Sequence, residues 1–199
     1  MEFCSTQKAP DGDVSWLSQG MNALISFVRD NDGVSFTQGI GEYTDVGRVI
    51  DYIIFDLLIA GADNTGRNII WATYDGKKYI PSVYDLDSTW GGTKETDKQI
   101  MQAWASGGAL RENLLFKRFF DNFTDDIAAR YVQLRQGALS EENVIRRFSQ
   151  YLETIPLTAR KAEEERWPKK YNDADECLSG IKTHYKIITE ALDAYFVSD

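Results

Sequence analysis

The sequence predicts an α+β fold that is predominantly α-helical, with one β-hairpin set between helices. Three observations carry this reading. Apolar residues recur at helical spacing through most of the chain, two short β-branched and aromatic runs flank Asp75-Gly76, and nothing after Thr89 alternates strand with helix. Hydrophobic residues make up 43% of the 199. That is enough to bury the core of a single domain spanning 1–199, and disorder is not expected.

Residues 14–29 carry Leu17, Met21, Leu24, Ile25 and Val28 at helical spacing, with Asp13 as the expected N-cap. Residues 31–41 are glycine-rich and read as turns. Thr44 is placed to cap a second helix. Its apolar positions Val46, Val49, Ile50, Ile53, Ile54, Leu57 and Leu58 form so wide a face that the helix should be buried, and Gly61 should end it. Residues 69–73 and 79–83 then form the hairpin, with Asp75-Gly76 as its turn. From Arg111 onward the pattern is helical: Leu114 to Phe120, a helix after Thr124 as cap, and a helix after Ser140 as cap. Pro156 should kink or break the last of these. Glu163-Glu164-Glu165-Arg166 reads as a solvated helix face, and residues 181–196 as a final amphipathic helix.

Composition excludes several function classes. A formal charge of -9 and the lack of a basic run interleaved with aromatics disfavour nucleic-acid binding. No stretch of about eighteen apolar residues is present, which argues against a membrane span. Residues 1–5 lack a signal-peptide pattern. Cys4 and Cys177 stand at opposite ends and make neither a disulfide framework nor a metal knuckle. His184 is the single histidine, so His-based triads and multi-histidine metal sites need a residue type that is barely available, and a structural or surface role is expected for it. Trp16, Trp104 and Trp167 are expected to serve the core rather than an interface.

The chemistry concentrates between Asp63 and Asp87. Asp63-Asn64-Thr65-Gly66-Arg67-Asn68 precedes the hairpin, and Asp85-Leu86-Asp87 follows it. An Asp with an Asn five positions later has the spacing of the protein-kinase catalytic loop, and an Asp closing the next hairpin stands where a kinase holds Mg²⁺. Phosphoryl transfer needs metal to neutralise phosphate charge and a carboxylate to orient the attacking hydroxyl. Asp63 is thus the candidate catalytic carboxylate, Asn68 the first metal ligand and nucleotide-side contact, and Asp85 the second ligand. Asp87 is an additional ligand or a supporting carboxylate. Such all-oxygen donors suit Mg²⁺ or Mn²⁺ rather than Zn²⁺.

Each piece also has a plain structural reading: Asp-Asn-Thr-Gly is turn chemistry, and Asp85 can cap the next segment. Asp75 belongs to the hairpin turn. Asp85-Leu86-Asp87-Ser88-Thr89 also resembles the nucleophile motif of haloacid-dehalogenase-type phosphatases, but that motif sits on the first strand of a parallel βα sheet, which this chain does not offer. The Asp-x-Asp pair alone resembles metal-dependent glycosyltransferases. An EF-hand fails because Trp90 stands where its loop needs glycine.

Residues 43–91, with Asp51-Tyr52, Asp63-Asn64…Asn68 and Asp85-Leu86-Asp87…Trp90-Gly91, resemble the CotH family of spore-coat-protein-H-like kinases. Leu114-Leu115-Phe116-Lys117-Arg118, Arg130-Tyr131 and the run from Ala159-Arg160 to Arg166-Trp167 are similar to its helical C-terminal half. The resemblance implies an atypical protein-kinase-like C-terminal lobe whose hairpin carries the metal site. It implies transfer of phosphate from ATP, with Mg²⁺ or Mn²⁺, to serine of a protein substrate, typically a spore-coat or secreted one. It makes Asp63 the catalytic Asp and Asn68 and Asp85 the metal ligands, and it points to the spore coat or the cell exterior. Residues 1–42 are too short and too helical for the strand-rich N-terminal lobe that clamps ATP. The expectation is a C-terminal lobe that alone has little or no activity; the alternative is a non-catalytic binding or structural module derived from the same fold.

Overall fold

The computed structural model describes residues 15–87, 89–90, 98–167 and 174–197. The expected cap Asp13 lies outside them. Helices α1 (Ser15–Asp30), α2 (Gly33–Gly39) and α3 (Val46–Ile59) lead to a hairpin of β1 (Ile69–Ala72) and β2 (Ile80–Val83). Then follow α4 (Lys98–Ala105), α5 (Leu114–Asn122), α6 (Thr124–Arg135), α7 (Glu141–Glu153), α8 (Leu157–Arg166) and α9 (Ala174–Phe196). The antiparallel strands pair Ile69 with Val83 and Ala72 with Ile80. They form the one sheet among the described residues.

Helix α3 is the centre of the core. Val49, Ile53, Leu57 and Ile59 have no exposed surface, and Ile50, Tyr52, Ile54 and Leu58 are buried with them. Apolar residues on nearly every side let β2, α6 and α9 pack around it. Its N-cap is Asp45, whose Oδ1 accepts the Arg48 amide at 3.0 Å, rather than the expected Thr44. Thr44 instead donates its hydroxyl to the Tyr79 carbonyl at 2.6 Å, and the Tyr79 amide donates to Tyr43 at 2.9 Å. These two bonds tie the entrance of α3 to the hairpin. The left-handed residue that ends α3 is Ala60 (φ 51°), one position before the expected Gly61.

Residues 31–41 are not a run of turns. Asp32 Oδ1 accepts the Ser35 amide at 2.7 Å and starts α2, and a 3₁₀ turn over Ile40–Glu42 follows. Burial of Phe36 and Ile40 offsets the low helix propensity of the glycines in this segment. Asp75-Gly76 does form the hairpin turn: Gly76 has φ +69°, and Asp75 Oδ1 accepts the Lys77 and Lys78 amides. The Trp16 ring lies so close to Gly76 that an added Cβ would stand 2.3 Å from it.

Among the C-terminal helices, α4 and the 3₁₀ turn Gly108–Glu112 begin before the expected helical region. Ser140 caps α7 as expected, accepting the Asn143 amide. Thr124 is the first residue of α6 and not its cap, and its hydroxyl donates back to the Phe120 carbonyl. Pro156 separates α7 from α8 as the residue before the new helix, where its missing N–H costs nothing. Helix α8 buries no residue, in keeping with a solvated charge run. Helix α9 begins seven residues before the expected Ile181 and packs on α3, α4, α6 and α7. Trp104 is buried and donates its indole N–H to the Leu57 carbonyl at 3.1 Å. Trp16 and Trp167 remain 43% and 51% exposed, so the core role expected for all three tryptophans holds for Trp104 alone. No helix among the described residues is long and apolar enough to cross a membrane.

Candidate active site

The residues singled out from sequence lie on two short turns beyond the C-terminal end of α3. The first is the 3₁₀ turn Ala62–Thr65, which leads through Asn68 into β1. The second leaves β2 at Tyr84 and runs through Asp85 and Asp87. Asp63, Asp85 and Asp87 are exposed, and Asn68 is half-buried.

Asn64 joins the two turns. It is 1% exposed, and its Nδ2 donates both to the Asn68 carbonyl at 3.1 Å and to the Tyr84 carbonyl at 2.9 Å. One amide therefore fixes the residue after Asp63 to the backbone of Asn68 and to the residue before Asp85. The Asn68 amide closes the first turn by donating to the Asp63 carbonyl at 3.1 Å. Tyr52 on α3 donates its hydroxyl to the Asn64 carbonyl at 2.7 Å, anchoring the assembly to the core. Burial raises the Tyr52 phenol well above its ordinary pKa and keeps it a donor.

The second turn is anchored as well. Thr89 donates its hydroxyl to the Leu86 carbonyl at 2.6 Å, and the Trp90 amide donates to the Ile59 carbonyl at 2.8 Å. The Trp90 ring meets Phe148 and His184 edge-on. His184 is 2% exposed, and its Nε2 stands 3.0 Å from the Leu58 carbonyl. Because a carbonyl only accepts, the ring carries its proton on Nε2, and burial lowers its pKa toward the neutral form. His184 is thus structural. Asp85 and Trp90 both adopt positive φ, 53° and 57°. For residues with a Cβ this costs roughly 1–3 kcal/mol each and persists where surrounding contacts dictate it.

A cleft of about 280 Å³ opens beside Asp63, lined also by Thr65, Gly66, Arg67, Glu112 and Asn113. Asn113 Nδ2 donates to the Thr65 carbonyl at 3.0 Å and fixes one wall. Among the described residues no three His, Cys, Asp or Glu side chains stand close enough together to hold a metal ion. Asp63, Asp85 and Asp87 therefore form no three-carboxylate cage. What the site offers is oxygen donors on two registered turns, the Asn68 amide oxygen among them.

The sequence reading missed the residues that organise this site. Asn64 read as turn chemistry, yet it is the clamp. Glu112 comes to the cleft from the 3₁₀ turn before α5 and Asn113 from the N-cap of α5, and nothing in their local pattern marks them as cleft residues. Asp56 did leave a signal: it is an acid within the apolar face of α3, fully buried, with neither oxygen hydrogen-bonded. Asp51 and Arg130 are scaffold, Arg130 Nε donating to Asp51 Oδ1 at 2.7 Å to join α3 to α6.

The described residues form a mostly helical body with one hairpin, with Asp and Asn on the turns at either end of that hairpin. The family model described as CotH kinase protein matches residues 6–190, and the chain belongs to that family. No curated protein and no solved structure matches it.

Proposed function

We propose that this chain carries the acceptor-orienting and metal-binding half of an ATP-dependent protein kinase site that phosphorylates serine on a protein substrate. The observation that carries the reading is the Asn64 clamp. It ties the Asp63–Asn68 turn, whose Asp and Asn stand five positions apart as in a protein-kinase catalytic loop, to the Asp85 turn, in a member of the CotH kinase family.

In this reading Asp63, exposed at the rim of the cleft, accepts a hydrogen bond from the substrate serine hydroxyl and aims its oxygen at the γ-phosphate. The donor set fits a hard divalent cation: the Asn68 amide oxygen, the Asp85 carboxylate and Asp87 in support would hold Mg²⁺ or Mn²⁺. Such ions commonly take only one or two protein carboxylates and complete their shell with nucleotide phosphates and water, so the lack of a three-acid cage is no obstacle. When bound, the metal supplies charge neutralisation on the phosphates. The rigid backbone at Asn64, Asn68 and Tyr84 lets these side chains act without reorganising.

The described residues hold one two-stranded sheet. The 199 residues alone are predicted to turn over slowly or not at all. The test is transfer of γ-phosphate from ATP with Mn²⁺ to a serine-containing protein by the natural protein that carries this sequence. Loss of transfer in both Asp63→Ala and Asp85→Ala is expected. Transfer that survives both substitutions refutes the role assignment, and metal binding with no transfer under any condition would favour a binding module.

A further inference from the structure

Asp56 lies directly beneath the clamp. Asn64 Nδ2 faces two carbonyls, those of Asn68 and Tyr84, and a carbonyl can only accept. The amide is therefore fixed in orientation, with Oδ1 turned the other way. On that side lies Gly61: a Cβ built on it would stand 3.0 Å from Asn64 Oδ1 and 2.3 Å from Asp56 Oδ1. The two oxygens thus crowd the same side of one glycine. An ionised Asp56 would set acceptor against acceptor with no donor supplied, whereas the carboxylic acid brings the proton that this arrangement lacks.

Among the described residues no cation stabilises the ionised form. Tyr52, one turn earlier on α3, is the titratable group coupled to Asp56, and its hydroxyl is committed to the Asn64 carbonyl. From α9 comes His184, bonded to the Leu58 carbonyl, and from α6 comes Arg130, paired with Asp51. Strand β2 has no ionisable side chain, and the Ala62–Thr65 turn brings only the exposed Asp63. Burial pushes the Asp56 carboxyl from its ordinary 3.8 up to about 8.

We propose that Asp56 is a positioning residue of the site: as the neutral acid it donates its proton to Asn64 Oδ1 and locks the amide that registers the two turns. The proposal rests on the kinase reading only in calling those turns an active site. Ionisation removes the donor and loosens the clamp, so the site is built to work below about pH 8.

The sign follows from linkage. The native state keeps a proton that the unfolded chain releases above about pH 4, so ionisation favours unfolding between those values. The first test compares urea unfolding of the unmodified chain and Asp56→Asn, which retains a donor and cannot ionise. The ratio of their unfolding constants should change about tenfold per pH unit between pH 5 and 8 and level off above. Parallel profiles overturn the proposal. Carbon-13 NMR of the unmodified chain, independent of whether the variant folds, should give an Asp56 carboxyl midpoint near 8, and the Asn64 side-chain NH₂ signals should move with that same midpoint. A midpoint near 4, or an Asn64 signal that stays still while Asp56 titrates, also overturns it. None of these readouts involves phosphate transfer. Their success, with no transfer by the natural protein that carries this sequence, would sustain the Asp56 pairing while refuting the kinase reading.

Discussion

Replacing Asn64 with alanine removes the clamp and keeps the side chains of Asp63, Asn68, Asp85 and Asp87. The side chain is 1% exposed and donates to two backbone carbonyls, at 3.1 and 2.9 Å. Each bond contributes about 1 kcal/mol net, and a buried carbonyl left without a donor costs about 1–3 kcal/mol unless water reaches it. Asn64→Ala should therefore destabilise the chain by about 2–4 kcal/mol, a large part of the roughly 5–15 kcal/mol typical of a domain, yet one that leaves it folded. Urea unfolding followed by tryptophan fluorescence gives the global figure. Hydrogen exchange at the Asn68 amide, which donates to the Asp63 carbonyl, reports the turn itself and should speed up by more than the global change accounts for. A loss under about 0.5 kcal/mol with unchanged Asn68 protection would show that the two turns hold their register without Asn64, and the argument built on it would fail.

Three further substitutions test the surrounding structure. Gly61→Ala puts a Cβ 2.3 Å from Asp56 Oδ1 and 3.3 Å from Asn64 Cβ, so overpacking should cost about 1–3 kcal/mol in urea unfolding; Gly66→Ala, with nothing within 4 Å, should change stability by less than about 0.5 kcal/mol. Trp104→Phe removes the indole N–H that the Leu57 carbonyl accepts and leaves a gap between α4 and α3; a thermal melt should place its cost at about 1–3 kcal/mol, and an unchanged melting point would refute the anchoring role.

Where the controlling interactions are local, the sequence could be read directly. The wide apolar face of α3, the Asp75-Gly76 turn and the Ser140 cap each depend on residues within a few positions, and each formed as expected. Helix α2 was not legible because its glycines suggest turns, while the burial of Phe36 and Ile40 that decides the matter is a tertiary effect. Asp45 caps α3 in place of the expected Thr44 because Tyr79, 35 residues from Thr44, offers Thr44 a carbonyl. The candidate site was legible as a list of oxygen donors and not as an assembly. Asn64 bonds to carbonyls four and twenty residues away, and carbonyls carry no side-chain signature. Trp16 and Trp167 show the reverse failure, since apolar character alone does not distinguish a core ring from an exposed one.

In the proposed site Asn68 and Asp85 hold a divalent metal on two registered turns. A Mn²⁺ titration of this chain in the presence of ATP, followed by paramagnetic broadening of amide signals, tests this. The signals of Asn68, Asp85 and Asp87 should broaden first and together, and Asp85→Ala should abolish the effect. Broadening confined to other acidic surfaces such as Glu163 to Glu165, or unchanged by Asp85→Ala, would contradict it.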